Sequence, residues 1–218
     1  MSSKAERFPR NTLRPFLVEK VREPDYVGHI GVVGPHDVGK NTLCERFGRM
    51  SGLMGEVEKK TDREWILDLS TRPCLGKRGT MLLYLHIIPF RKGAEKRNYV
   101  EILRKLNGII FMFDITEQST LHETVGLVAD VVFDFYGSNR PPSILVGNKM
   151  DARTPSPSCV LPEDGDAASI GIHANSYFEC SARGNLSCDL VLDYVLRMII
   201  EDWKRQEYGF RFHFANSS

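Results

Sequence analysis

The chain has no uninterrupted apolar run long enough to cross a bilayer, and its start lacks the apolar core of a secretion signal. The opening "MSSKAERFPRNTLRPF" is polar and basic. Ser2 stands where an N-myristoyl glycine would be, and the closing "HFANSS" offers no cysteine for a prenyl group. No direct lipid anchor is therefore expected. The net charge is only +1, which argues against a broad attraction to nucleic acid or acidic membrane while still allowing a local basic patch. Cys44, Cys74, Cys159, Cys180 and Cys188 are scattered without metal-ligand spacing. Their odd count and the missing signal predict reduced thiols and a cytoplasmic or nuclear setting, with any membrane or organelle reached through a partner. No histidine pair has metal-ligand spacing, and no Ser-His-Asp set can be argued.

What is present is enough chain, 218 residues, for one α/β domain with a full core. Residues 1–25 read as a flexible N-terminal arm. "YVGHIGVVG" (26–34), "EWILDLST" (64–71), "TMLLYLHIIPF" (80–90), "GIIFMFDI" (108–115), "SILVGN" (143–148) and "SYFECSA" (176–182) read as six strands. "RPCLGKRG" between the second and third suits an antiparallel hairpin. Helical spacing runs from Lys40 to about Leu53 and through 95–106, 119–137 (with Ser119 and Glu123 near its cap), 162–172 and 188–206. Strands alternating with helices predict a doubly wound, mostly parallel sheet. The tail 207–218 alternates Tyr208, Phe210, Phe212 and Phe214 with other residues. Period two predicts an extended segment that either packs on its own domain or adds to a partner's sheet edge.

"GPHDVGKNTL" (34–43) joins the first strand to the first helix. Gly34 and Gly39 let the backbone curl, the amides of residues 36–40 (His36, Asp37, Val38, Gly39, Lys40) face phosphate oxygens, and Lys40 reaches the terminal phosphates. Asn41 and Thr42 complete this candidate phosphate-binding set. "NKMD" (148–151) follows an apolar strand. A carboxylate such as Asp151 can accept two hydrogen bonds from the guanine N1–H and N2–H2 edge and so reject adenine. Lys149 would lie along the base, and Asn148 would tie this loop to the phosphate loop. "ECSAR" (179–183) comes after the next strand, with Ser181, Ala182 and Arg183 as the third candidate group and a backbone amide aimed at guanine O6.

These three motifs, in this order and on these elements, make the chain resemble the Ras-like small GTPases from about Tyr26 to Gln206. The resemblance implies a P-loop NTPase (small G-protein) fold over 26–206, strand order 2-3-1-4-5-6 with strand two antiparallel, and GDP or GTP as the bound cofactor.

The chain departs from the family in the half that holds magnesium. Family members ligate Mg²⁺ with a Ser or Thr hydroxyl directly after the loop lysine, and Asn41 stands there. Thr42 points about 100° away along the helix. The family's Asp-x-x-Gly after its third strand is also missing: Ile87 falls at the aspartate, Phe90 at the glycine and Arg91 at the usual glutamine, and 81–94 contains no Asp. His36 crowds the γ-phosphate space. Asn41 and Thr61 are the only weak metal-ligand candidates, so Mg²⁺ is doubtful and no catalytic residue is assigned. The expectation is a guanine-nucleotide-binding protein with weak magnesium binding and little intrinsic hydrolysis. It would act through protein partners at the altered switch region 57–97 or the tail 207–214. The rival readings are a nucleotide-free scaffold and a GTPase completed by a partner in trans.

Overall fold

The structure, a computed structural model, describes residues 24–51, 57–61, 63–69, 80–88, 99–128, 134–137 and 140–215. The N-terminal arm to residue 23, the 72–79 connection and the positions of Phe90 and Arg91 lie outside them.

Seven strands form one sheet in the order β2-β3-β4-β1-β5-β6-β7. They are β1 (Tyr26–Val33), β2 (Val57–Thr61), β3 (Glu64–Asp68), β4 (Met81–Ile88), β5 (Gly108–Asp114), β6 (Ser143–Asn148) and β7 (Ser176–Glu179). The continuous apolar runs behave as expected: every residue of β5 and β6 is buried, because helices cover both faces. Buried and half-buried residues alternate along β3, and in β4 alternation gives way to full burial over Leu85–Ile88. β1 lies parallel to β4 and β5, and β5, β6 and β7 continue in parallel. β3 runs antiparallel to β4.

The six expected strands thus keep their expected order. β2 adds a seventh at the edge, antiparallel to β3. Its sequence, "VEKKT", carries no apolar alternation to read, because a terminal strand can pair on one side without burying a face.

The helices are α1 (Lys40–Ser51), α2 (Val100–Leu103), α3 (Gln118–Val128), α4 (Asp134–Tyr136), α5 (Pro162–Gly171) and α6 (Cys188–Ala215). Leu43 and Phe47 of α1 join Val191, Val195 and Ile199 of α6 in one core. Leu103, Leu121, Leu127 and Ile172 pack with Phe111 and Phe113 of β5 in the other.

Two readings change, and a third falls partly outside the described residues. The 95–106 helix is a single turn in its described part, because Asn107 leaves the helix to exchange bonds with β1. Its N–H donates to His29 O at 2.8 Å and its side chain accepts the His29 N–H at 2.9 Å. The 119–137 helix is described as α3 and α4, with 129–133 outside the described residues. Its start is fixed by Thr120, whose hydroxyl accepts the Asp114 N–H at 3.0 Å, while the Ser119 hydroxyl donates to Glu117. The tail 207–214 is not extended: its backbone continues α6 to Ala215. Adding a turn to an existing helix needs no new nucleus, and that outweighs a period-two pattern.

Candidate functional site

The phosphate loop leaves β1 at a point too tight for a side chain. A Cβ on Gly34 would stand 2.3 Å from the Met112 carbonyl oxygen of β5. Gly39 adopts φ +92°, and its Cβ would meet Asn148 Nδ2 at 2.3 Å. Between them Val38 is fully buried and anchors the loop, while Asp37 takes a left-handed φ of 59°. The side chains of His36 and Asp37 are each 86% exposed and pair with each other at 2.8 Å. Lys40 donates to the carbonyl of Gly34 at 2.8 Å and to that of Pro35. Burial holds its ammonium below the usual lysine pKa.

At the ends of β6 and β7 the geometry turns on Asn148, which is 3% exposed. Its Nδ2 donates to Val38 O at 2.9 Å, and its Oδ1 accepts the Ala182 N–H at 2.9 Å. One carboxamide therefore joins the phosphate loop, the 148–151 loop and the 181–183 loop. Lys149 follows with φ 65°, its ammonium 2.5 Å from the Asp114 carboxylate. Asp114 also accepts from the Thr116 N–H at 2.9 Å and the Thr116 hydroxyl at 2.7 Å. Burial opposes its charge, but these bonds outweigh it and keep the carboxyl below its usual range. Asp151 sits exposed in a 3₁₀ turn, Met150–Ala152, whose first N–H donates to Cys180 O at 3.1 Å. Arg46 of α1 donates to Ala182 O at 2.9 Å and to Arg183 O at 3.0 Å.

The two loop systems face a shared cavity of about 700 Å³. This is where a doubly wound sheet places its ligands, beyond the carboxyl ends of the strands. His36, Asp37, Gly39, Lys40, Asn41, Thr42, Asn148, Lys149, Asp151 and Arg183 line it. Gly34, Val38, Ser181 and Ala182 are buried behind it. One backbone amide of this loop is expected to face the base, and both the Ser181 and Ala182 amides carry bonds inside the protein: Ser181 N–H donates to Leu186 O at 3.0 Å, and Ala182 N–H to Asn148 at 2.9 Å.

At the phosphate end, β4 contributes Ile87 to the cavity lining. The β1–β4 register pairs Ile87 with Val32, two residues before Gly34, so an apolar side chain stands where the resemblance implies a carboxylate. Beside it Arg63, from the turn between β2 and β3, lines the same cavity. Its carbonyl accepts the Ile87 N–H at 2.8 Å. Thr61 does not line this cavity. Its hydroxyl accepts the Arg63 N–H at 3.2 Å, and it borders a second cavity of about 670 Å³. That second space brings together two histidines far apart in sequence. His29 Nδ1 lies 3.0 Å from His86 Nε2, and burial, then the neighbouring His29, lower the His86 pKa to about 4. Among the described residues no group of three His, Cys, Asp or Glu side chains could hold a metal, and no helix is long and apolar enough to cross a membrane.

Sequence reasoning missed Asp114, Arg46 and Arg63. Asp114 had a signal: a carboxylate closing an apolar strand at the ligand edge of the sheet. Arg63 and Arg46 had none, since an arginine in a turn or on a helix is ordinary.

Comparison with known proteins places the chain among relatives. The Ras family profile matches residues 95–201, which contain the 148–151 and 181–183 loops but not the phosphate loop. The chain is similar to the Ras-related protein Rab-32C of Dictyostelium discoideum, 28% identical over 112 residues covering 51% of this chain and 49% of that protein. It is also similar to the Ras-related protein Rab-12 of Homo sapiens, 26% identical over 192 residues covering 85% of this chain and 74% of that protein. The match thus spans about half the length of the first relative and three quarters of the second.

Proposed function

We propose that the chain, similar to the Ras family over residues 95–201 and to Ras-related proteins over most of its length, is a small GTP-binding protein that grips guanine nucleotide chiefly through the base, binds magnesium weakly and hydrolyses GTP little on its own. The observation that carries this reading is the Asn148 carboxamide, which holds the phosphate loop and both base-side loops around one cavity. Asp151 lines that cavity as the acceptor pair for the guanine N1–H and N2–H2 edge, and Lys40 serves the phosphates. Weak hydrolysis follows from Ile87 and Asn41 at the positions where the family carries a carboxylate and a hydroxyl. Losing one such electrostatic group lowers a rate about 10²–10³-fold. With turnover this slow, the protein works by binding partners, through the region 57–97 or the tail 207–214.

A second reading, a nucleotide-free scaffold, draws on the internal bonds of the Ala182 amide and the Lys40 ammonium. One experiment separates the two. Purified protein is denatured and the released nucleotide identified by chromatography, followed by titration with fluorescent GDP and GTP. Guanine nucleotide at near-unit occupancy supports the first reading. No released nucleotide and no titration supports the scaffold. Fast magnesium-dependent hydrolysis refutes both.

A further inference from the structure

The described residues at the phosphate end do not suit a resident Mg²⁺. A hard cation of this size takes near-octahedral oxygen ligands, commonly one or two carboxylates. Of the cavity's described lining residues only Asp37 and Asp151 are carboxylates. Asp37 is turned to solvent beside His36, and Asp151 is in the 148–151 loop at the base end. Thr61 borders only the other cavity, whereas Arg63 and Ile87 line both. Ile87 and Arg63 line that end of the cavity with Lys40, Asn41 and Thr42.

We propose that Arg63 is the built-in cation of this site and takes the charge-neutralising place of the divalent ion on the nucleotide's β- and outer phosphate oxygens. This rests on the reading that the cavity binds guanine nucleotide. Three observations support it. First, Arg63 and Ile87 are cross-strand neighbours, joined by the 2.8 Å bond from the Ile87 N–H to the Arg63 carbonyl, and both line the cavity with Lys40. Second, among the described residues the Arg63 guanidinium has no ion-pair or hydrogen-bond partner, so its five donors are uncommitted, whereas the Lys149 ammonium nearer the base is held by Asp114. Third, the charges balance. A carboxylate plus a divalent cation carries a local charge of about +1, and so does an isoleucine plus an arginine. Losing the carboxylate alone would leave the phosphates under-neutralised; pairing that loss with a guanidinium keeps the sum and removes the need for the metal. A guanidinium also matches phosphate geometry through two parallel N–H bonds. Asn41 fits the same scheme: its carboxamide N–H2, a poor neighbour for a metal, is a donor to a phosphate oxygen. Arg63 is thus a specificity-determining residue that makes affinity independent of divalent cations.

The test measures the affinity of fluorescent GDP and GTP for the full chain, in millimolar Mg²⁺ and in excess EDTA, for the natural protein and for Arg63→Ala and Arg63→Lys. Arg63 is exposed, so the variants should keep the natural melting temperature, checked by circular dichroism. The expected result is affinity unchanged within about twofold by EDTA in the natural protein. Arg63→Ala should lose about ten- to hundredfold, the scale of a lost charge-assisted hydrogen bond, with partial retention in Arg63→Lys. Loss of binding in EDTA overturns the proposal. So does an Arg63→Ala variant that binds as well as the natural protein. A protein that binds neither nucleotide in either buffer overturns instead the guanine-binding reading on which this rests.

Discussion

The two ends of the cavity are built to different standards of rigidity. At the base end Asn148 is 3% exposed and bonded to two other loops, Lys149 is pinned by a buried carboxylate, and Arg46 clamps two carbonyls of the 181–183 loop. At the phosphate end Lys40 donates to two loop carbonyls, but the side chains of His36 and Asp37 are 86% exposed and pair with each other, and Ile87 and the turn residue Arg63 line the cavity. Discriminating a purine edge needs donors and acceptors fixed in place, because a misplaced group leaves a buried partner unpaired. Attracting a phosphate needs only enough positive charge nearby, which a mobile side chain provides. Base recognition and metal chemistry can therefore be lost separately, and under the proposed function this chain differs from the Ras family it resembles only in the second.

The sharpest way to break the contrast is Asn148→Ala. It strips partners from two buried backbone groups, Val38 O and Ala182 N–H, and should cost about 2–5 kcal/mol of stability in denaturant unfolding, with loss of nucleotide. A cost below about 1 kcal/mol would mean the base end is no more rigid than the phosphate end. Next comes Asp151→Asn. Asp151 is exposed and outside the core, so stability should hold within about 0.5 kcal/mol. Preference for GDP over ADP should fall about a hundredfold, read by competition against fluorescent GDP. If both nucleotides weaken equally, Asp151 is not the base reader. The double change Asn41→Ser with Ile87→Asp restores a hydroxyl and a carboxylate to the phosphate end. It should make GTP affinity respond to Mg²⁺ by about tenfold, seen on adding EDTA. The smallest effect belongs to the neighbouring cavity, which shares Arg63 and Ile87 with the first. His86 titrates near pH 4 in the folded chain because burial, then His29, disfavour its charge. The unfolded chain binds that proton first, so stability should fall as pH drops from about 6.5 to about 4 and be level above. His86→Gln should flatten that slope in melting temperature against pH without moving nucleotide affinity.

Much of the architecture was legible because its signals are local. The apolar runs of β5 and β6, the alternation in β3, Pro162 opening α5 and Gly39 before Lys40 each declare themselves within a few residues. The meeting of the 148–151 and 181–183 loops was legible for the same reason, since "NKMD" and "ECSAR" are contiguous. What stayed hidden was contact made across the chain. Nothing in "FDI" announces that Asp114 will meet Lys149, and nothing in "DRE" places Arg63 beside Ile87. β2 was hidden by its polarity, and the tail misled because aromatic alternation matters less than the helix already running into it. The unexpected amide bonds of Ser181 and Ala182 belong to the same class: side-chain and loop closure decide them, and no spacing records it.

The parallel register of the sheet also bears on how the protein is made. Tyr26 of β1 pairs with Met81, and Ile30 on the same strand pairs with Gly108. While a ribosome is still extending the chain, β1 has no sheet neighbour until β4 emerges and only one until β5 follows. Such distant parallel pairings form slowly. The nascent chain must therefore carry the apolar residues Ile30, Val32 and Val33 without both sheet neighbours through about a third of its synthesis, a window in which holdase chaperones have something to bind.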